Sequence, residues 1–137
     1  MSRTLIPGLL GLLLLAGCGA AEPTSPLPPW RSDVPAALAE AAQAKRPVLL
    51  RFTAGWCPPC KEMERKVWPD ATIQKALAPV IAIKVDADDP ALSHLYQTHG
   101  VSGIPALVLL DASGKEIGRR EGYQSPEQVT EFLASIP

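Results

Sequence analysis

The sequence predicts an α/β domain in which a mixed central β-sheet carries helices on both faces. Three observations predict it. Short apolar segments rich in β-branched residues alternate along the chain with stretches of helix formers. The last two strand-like segments are joined by Asp111-Ala112-Ser113-Gly114, a hairpin-type turn. The chain then closes with a helix whose start is spelled out by Ser125, Pro126 and Gln128 as N-cap, first position and capping-box partner.

Taken in order, Val34 to Ala44 is Ala-rich, with Asp33 as N-cap and Pro35 in the first turn, and Lys45-Arg46-Pro47 ends that helix. Val48 to Thr53 is apolar enough for a buried strand. Helix formers run from Lys61 to Trp68 until Pro69-Asp70 breaks them, and Ala71 to Leu77 forms a short further helix. Val80 to Asp86 reads as a strand, and the acidic loop Asp86 to Asp89 leads to a helix from Pro90 to about Thr98. The turn Gly100 to Pro105 precedes a strand over Ala106 to Leu110, and Lys115 to Arg120 is the returning strand. The last helix spans Ser125 to Ser135.

A chain of 137 residues is long enough for one domain with a real core. Its net charge of −1, with no basic patch interleaved with aromatics, argues against nucleic acid as a partner. The chain is expected to act as a monomer.

Residues 1–17 read as an export signal: Arg3 supplies the charge, and Leu5 to Ala16 is apolar but interrupted by Pro7 and Gly8 and short for a membrane span. The run ends in Leu15-Ala16-Gly17-Cys18, which resembles the lipobox of bacterial lipoproteins. That resemblance implies cleavage before Cys18, lipid on Cys18 and a membrane anchor. It also accounts for the odd member of the three cysteines. Gly19 in place of Asp leans weakly toward the outer membrane. An ordinary secretory signal with a chance cysteine is the alternative. Residues 18–29, with Pro23, Pro26, Pro28 and Pro29, read as a tether able to hold the domain roughly 30 Å from the lipid surface. Residues 30–137 form the domain.

The chemistry concentrates in Trp56-Cys57-Pro58-Pro59-Cys60. Two cysteines so spaced can close a disulfide within one helical turn. Strand before and helix after place Cys57 at a helix N-terminus, where the dipole favours a thiolate. Cys60, one turn in, is expected to be buried while Cys57 is exposed. An exposed nucleophile beside a buried resolving thiol suits disulfide exchange. Pro58 and Pro59 lack N–H groups, so the Cys57 sulfur is left mainly with the N–H of Cys60. Weaker thiolate stabilisation points to a reductant or mid-potential exchanger rather than an oxidase.

Together with Gly103-Ile104-Pro105, Gly114 and Gly122, the CxxC stretch resembles the thioredoxin superfamily, over roughly Val34 to the C-terminus. Phe52 to Cys57, with Lys61-Glu62-Met63-Glu64 after the pair, looks most like the C-terminal periplasmic domain of DsbD-type thiol:disulfide interchange proteins. The resemblance implies a thioredoxin fold and exchange with protein thiols and disulfides. It implies that Pro105 is a cis-proline facing the cysteines, with the Ile104 backbone open to an extended substrate.

Positions 57, 60, 64 and 67 recur at helical spacing. This sets Glu64 one turn below Cys60, where a partly desolvated carboxyl would accept the Cys60 proton. DsbD-type domains have an acidic residue at the same place. A solvated Glu64 paired with Lys61 or Lys66 is the alternative. Arg51 departs from the resemblance, because thioredoxins and DsbD-type domains carry a buried Asp there as proton acceptor. Arg51 either pairs with Glu64, which weakens a proton shuttle, or lies along the surface with its head in water. Trp56 is expected to shield Cys57 and contact substrate, or to pack in the core, and Trp68 and Tyr123 to pack. Glu62 and Lys66 form an i,i+4 pair on a solvated face.

Cys57, Cys60, His94 and His99 make two Cys and two His, but the gap after Cys60 is too long for a compact zinc finger. No metal and no cofactor are expected. A binding module without turnover is a further alternative, opposed by the intact pair. A reductase in an oxidising compartment needs re-reduction, which implies a separate donor such as a DsbD-type membrane protein.

Overall fold

The computed structural model describes residues 28–137. The export signal, the lipobox cysteine Cys18 and the tether up to residue 27 lie outside the described residues.

Among the described residues nine elements follow in chain order. They are α1 (Val34–Ala44), β1 (Val48–Thr53), α2 (Pro58–Lys66), α3 (Ala71–Leu77), β2 (Ile81–Asp86), α4 (Ser93–Thr98), β3 (Ala106–Leu110), β4 (Glu116–Glu121) and α5 (Pro126–Ala134). The four strands form one mixed sheet in the order β2-β1-β3-β4. β1 runs parallel to β2 and antiparallel to β3, and β3 is antiparallel to β4. The predicted α/β class and the helices on both faces are what the chain adopts.

Local chemistry explains the boundaries. Asp33 caps α1 by accepting the Ala36 N–H at 3.1 Å, and Asp70 caps α3 through the N–H groups of Thr72 and Ile73. At α5 the capping box is complete, with Ser125 Oγ taking the Gln128 N–H and Gln128 Oε1 taking the Ser125 N–H. The hairpin between β3 and β4 turns on Asp111, whose carboxylate accepts the N–H groups of Ser113 and Lys115, and on Gly114 at φ 85°. Expected boundaries shift by one or two residues at α2, β2 and β4, and by three at α4, which starts at Ser93, not Pro90. Asp89 Oδ1 takes the Ala91 N–H and the Ser93 hydroxyl donates to the Pro90 carbonyl, so residues 90–92 are held as a turn.

Strand alternation divides the core. Leu50 and Phe52 of β1, with Ile83 and Val85 of β2, face α1 and α4. Leu49 of β1 and Leu107 and Leu109 of β3 face α2, α3 and α5, meeting Met63, Val67 and Phe132. All six residues of β1 are buried, including Arg51. Residues 28–31 add to the outer edge of β2. The Arg31 N–H donates to the Ala82 carbonyl and the Lys84 N–H to the Arg31 carbonyl, in a parallel bridge opposite Ile83. Pro28 is buried, so the far end of the expected tether lies against the domain.

On β4, a Cβ added to Gly118 would stand 2.9 Å from Phe132 Cε2 of α5, a ring only 1% exposed. Gly118→Ala is therefore expected to destabilise the domain by about 1–3 kcal/mol. Chemical denaturation of Gly118→Ala, and of the same change combined with Phe132→Leu, checks this; the double variant should recover part of the loss.

Candidate active site

β1 leaves the sheet at Thr53, and Ala54-Gly55-Trp56 carries the chain to Cys57, the N-cap of α2 with extended backbone at φ −89°, ψ 110°. The helix starts there because Pro58 and Pro59 occupy its first positions and have no N–H to lose. Cys57 and Cys60 are joined in a disulfide, with Cα atoms 5.3 Å apart. The Cys60 N–H donates to Cys57 Sγ at 3.3 Å, and the Lys61 N–H donates to the Cys57 carbonyl at 3.1 Å.

Burial corrects one expectation. Cys57 is not exposed: both cysteines are 3% accessible. Ala54, Ala87 of the loop after β2, and Ile104 of the loop before β3 close around the sulfurs. The Ile104–Pro105 peptide bond is cis. Pro105 is buried, Ile104 is half-buried, and the Pro105 carbonyl accepts the Gly122 N–H at 2.8 Å. The two loops meet because Phe52 pairs with Ala106, the residue after Pro105.

Trp56 is 64% exposed and takes no part in the core, which removes that alternative. Its indole N–H donates to Asp88 Oδ1 at 3.0 Å. The Asp88 N–H in turn donates to Asp86, and this bond, with Lys84 beside it, holds the Asp86 carboxyl below its usual range. Asp88 is a site residue that the sequence did not single out; only its place in the acidic loop pointed to it. Trp68 is buried as expected, but Tyr123 is 41% exposed. It stands in the loop between β4 and α5, outside the packed layers.

Glu64 is also corrected. The inward face of α2 is Cys60, Met63 and Val67, and Glu64 lies to its side with a side chain 41% exposed. It is partly shielded from water there, beside rather than beneath Cys60. Its carboxylate instead pairs with Arg51, whose Nη2 donates to Glu64 Oε1 at 2.9 Å. Arg51 does not reach water: it is 3% exposed. Its guanidinium carbon sits 4.4 Å from the Trp30 ring centroid and 5.3 Å from that of Trp68, and these two rings meet edge to face at 5.0 Å. Arg51 Nε and Nη1 are buried without a hydrogen-bond partner. Burial lowers the Arg51 pKa and Glu64 opposes that, and an arginine remains a cation. Nothing in sequence spacing announced that Trp30 and Trp68 would converge on Arg51.

On the outer side of α2, Glu62 pairs with Lys66 at 2.6 Å and also with Arg65. His94 is exposed, and the His99 ring lies 6.2 Å from Phe52, with burial lowering its pKa. Among the described residues no group of three or more His, Cys, Asp and Glu side chains gathers.

Arg51 and Glu64 are unequal partners for stability. Arg51→Ala is expected to cost about 2–4 kcal/mol, because it empties the space between two indoles. Glu64→Ala should cost less, about 1–2 kcal/mol, because its own carboxylate is partly open to water but its loss leaves the buried Arg51 guanidinium without a hydrogen-bond partner. Thermal or urea unfolding of the two variants checks the contrast.

Residues 34–137 match the family model described as the thioredoxin-like domain. The thiol:disulfide interchange protein DsbD of Ralstonia nicotianae is 39% identical over 111 residues, covering 77% of this chain and 17% of that protein. DsbD of Yersinia enterocolitica is 32% identical over 111 residues, covering 77% of this chain and 19% of that protein. The chain thus spans less than a fifth of the length of these relatives. Among solved structures, a thioredoxin from Thermus thermophilus superposes with a TM-score of 0.71 at 28% identity, over 81% of this chain and 87% of that one. Trxlp from Edwardsiella tarda gives 0.62 at 34% identity, over 76% and 95%. The reduced C-terminal domain of Neisseria meningitidis DsbD gives 0.63 at 24% identity, over 75% and 93%, which bears on the fold alone.

Proposed function

The chain belongs to the thioredoxin-like domain family, and from that premise we propose that it is a membrane-anchored thiol:disulfide oxidoreductase of the bacterial periplasm, working as a reductase of protein disulfides. The observation that carries this reading is the Cys57–Cys60 disulfide on the first turn of α2, closed over by the loop that ends in Pro105. A sulfur pair at a helix N-terminus, linked within one turn, is built to open and close.

In the reduced domain Cys57 is the nucleophile. Its thiolate attacks one sulfur of a substrate disulfide, and the other substrate sulfur leaves with the electron pair. Cys60 then attacks Cys57 and releases the second substrate sulfur, so the substrate gains two electrons and the domain becomes the disulfide. Trp56, Ile104 and Pro105 border the sulfurs and contact the substrate chain. Among the described residues Pro58 and Pro59 leave the Cys60 N–H as the backbone donor on Cys57. That weak stabilisation of a thiolate supports reductant rather than oxidant character.

Anchoring rests on the sequence. Residues 1–17 are removed, Cys18 carries lipid, residues 18–29 form the tether and residues 30–137 the domain. Gly19 leans the anchor toward the outer membrane. A DsbD-type membrane protein is the electron donor in this reading, since a reductase in an oxidising compartment must be re-reduced.

Purified protein should reduce insulin disulfides with a thiol donor, and Cys57→Ser should abolish turnover. Its reduction potential should lie nearer the roughly −270 mV of thioredoxin than the roughly −120 mV of DsbA. A DsbA-like potential reverses the direction. For the anchor, the full chain expressed in bacteria should sediment with membranes and take up labelled fatty acid, and Cys18→Ser should do neither.

A further inference from the structure

Glu64 is paired with Arg51, which weakens it as the proton acceptor expected beside Cys60. What stands beneath α2 is a buried cation. We propose that Arg51 is a positioning residue for the resolving step: its buried charge stabilises the Cys60 thiolate electrostatically, in place of a carboxylate that takes the Cys60 proton. The proposal deepens the exchange reading above and rests on it.

Arg51 lies on the same β1 face as Leu49, the face that meets α2, and its guanidinium reaches Glu64, four residues beyond Cys60 on that helix. Residues four apart on a helix have Cβ atoms about 5–6 Å apart. The cation thus lies on the order of 10 Å from the Cys60 sulfur. Its compensation is lopsided. The Arg51 side chain is 4% exposed, whereas that of Glu64 is 41% exposed, so water screens the carboxylate far more than the guanidinium. Two guanidinium nitrogens, Nε and Nη1, have no partner. The Trp30 and Trp68 rings hold the group in place without neutralising it.

The other charges around the pair are Asp86 and Lys61. Asp86, at the end of β2, also attracts the Arg51 guanidinium, and is itself engaged by Lys84 at 3.1 Å and by the Asp88 N–H. Lys61, beside Cys60 on α2, is exposed. The groups packed directly on the sulfurs, Ala54, Ala87 and Ile104, carry no charge. Arg51 is the buried ionic group on the α2 side of the sheet among the described residues.

The step balances as follows. In the mixed disulfide, Cys57 is bonded to a substrate sulfur. The Cys60 thiol gives its proton to water, and its thiolate forms a bond to Cys57 Sγ. The Cys57–substrate bond breaks, and its electron pair leaves on the substrate sulfur, which takes a proton from water. The two sulfurs of the domain are oxidised and the substrate is reduced. A stabilised Cys60 thiolate raises the fraction of mixed disulfide ready to resolve at a given pH.

The test reads the Cys60 thiol without turnover. In the full chain carrying Cys18→Ser and Cys57→Ser, Cys60 is the only thiol, and its titration is followed by ultraviolet thiolate absorbance. Adding Arg51→Met should raise the Cys60 pKa by about one, a tenfold loss of thiolate at a given pH. Adding Glu64→Gln should lower it, by roughly half as much. Arg51→Lys should stay near the parent. Opposite signs for Arg51→Met and Glu64→Gln are the signature, since loosened packing would move both the same way. Shifts of the same sign, or none, overturn the proposal. If Arg51→Met does not fold, the parent decides: a Cys60 pKa at or below the roughly 8.5 of a free thiol supports the proposal, and one raised above it, as apolar burial alone would give, overturns it. Because no exchange is measured, failure here is separable from failure of the insulin assay.

Discussion

The pairing of Phe52 with Ala106 holds the site together. β1 lies inside the sheet, with β2 on one side and β3 on the other, so its backbone hydrogen bonds are used on both edges and its side chains on both faces. That register brings the chain leaving β1 at Thr53 beside the chain entering β3 at Ala106. One strand end delivers Cys57 to the start of α2, and the other delivers Ile104 and Pro105 against it. A slip of one residue would exchange the two faces of the strand. It would turn Phe52 toward α2 and Arg51 toward α1 and α4, and neither surrounding fits.

The same constraint explains how a cation survives in the core. A buried charge is costly unless other groups meet it. Arg51 has one carboxylate and two ring faces, and the rings come from different places. Trp68 follows α2 directly. Trp30 belongs to the segment that docks along β2 through the Arg31 bridge. The residues that join the domain to whatever precedes it therefore complete the lining of the Arg51 site. The first residues of the domain are part of its core chemistry, and Pro28 is buried with them.

Much of the fold was legible in the sequence because the deciding interactions are local. Asp33, the prolines of α2, the Asp111–Gly114 turn and the Ser125–Gln128 box each settle a boundary within a few residues of themselves. What the sequence misjudged depends on residues far apart in the chain. Cys57 reads as exposed from its position at a helix start; Ala87 and Ile104, from two other loops, cover it. Helical spacing alone leaves Met63 and Glu64 as rivals for the inward face, and the strand beneath chooses Met63. Strand alternation placed Arg51 inside, and its charge argued for the surface. Only the convergence of Trp30 and Trp68 reconciles the two.

The equal burial of Cys57 and Cys60 changes what distinguishes them. Disulfide exchange needs one sulfur to attack outward and the other to wait, and exposure does not separate these two in the closed pair. Their partners do. Cys57 sits at the N-cap, where the helix dipole and the Cys60 N–H favour a thiolate facing the loop that ends in Pro105. Cys60 sits a turn inward, between that N-terminus and the Arg51–Glu64 pair. Under the proposed mechanism the first sulfur is tuned by backbone and the second by a side-chain charge, so the effect of a substitution at Arg51 is assigned to the resolving sulfur. Division of labour within the CxxC is in this way written into the strand below it, through the alternation that turns residue 51 toward α2.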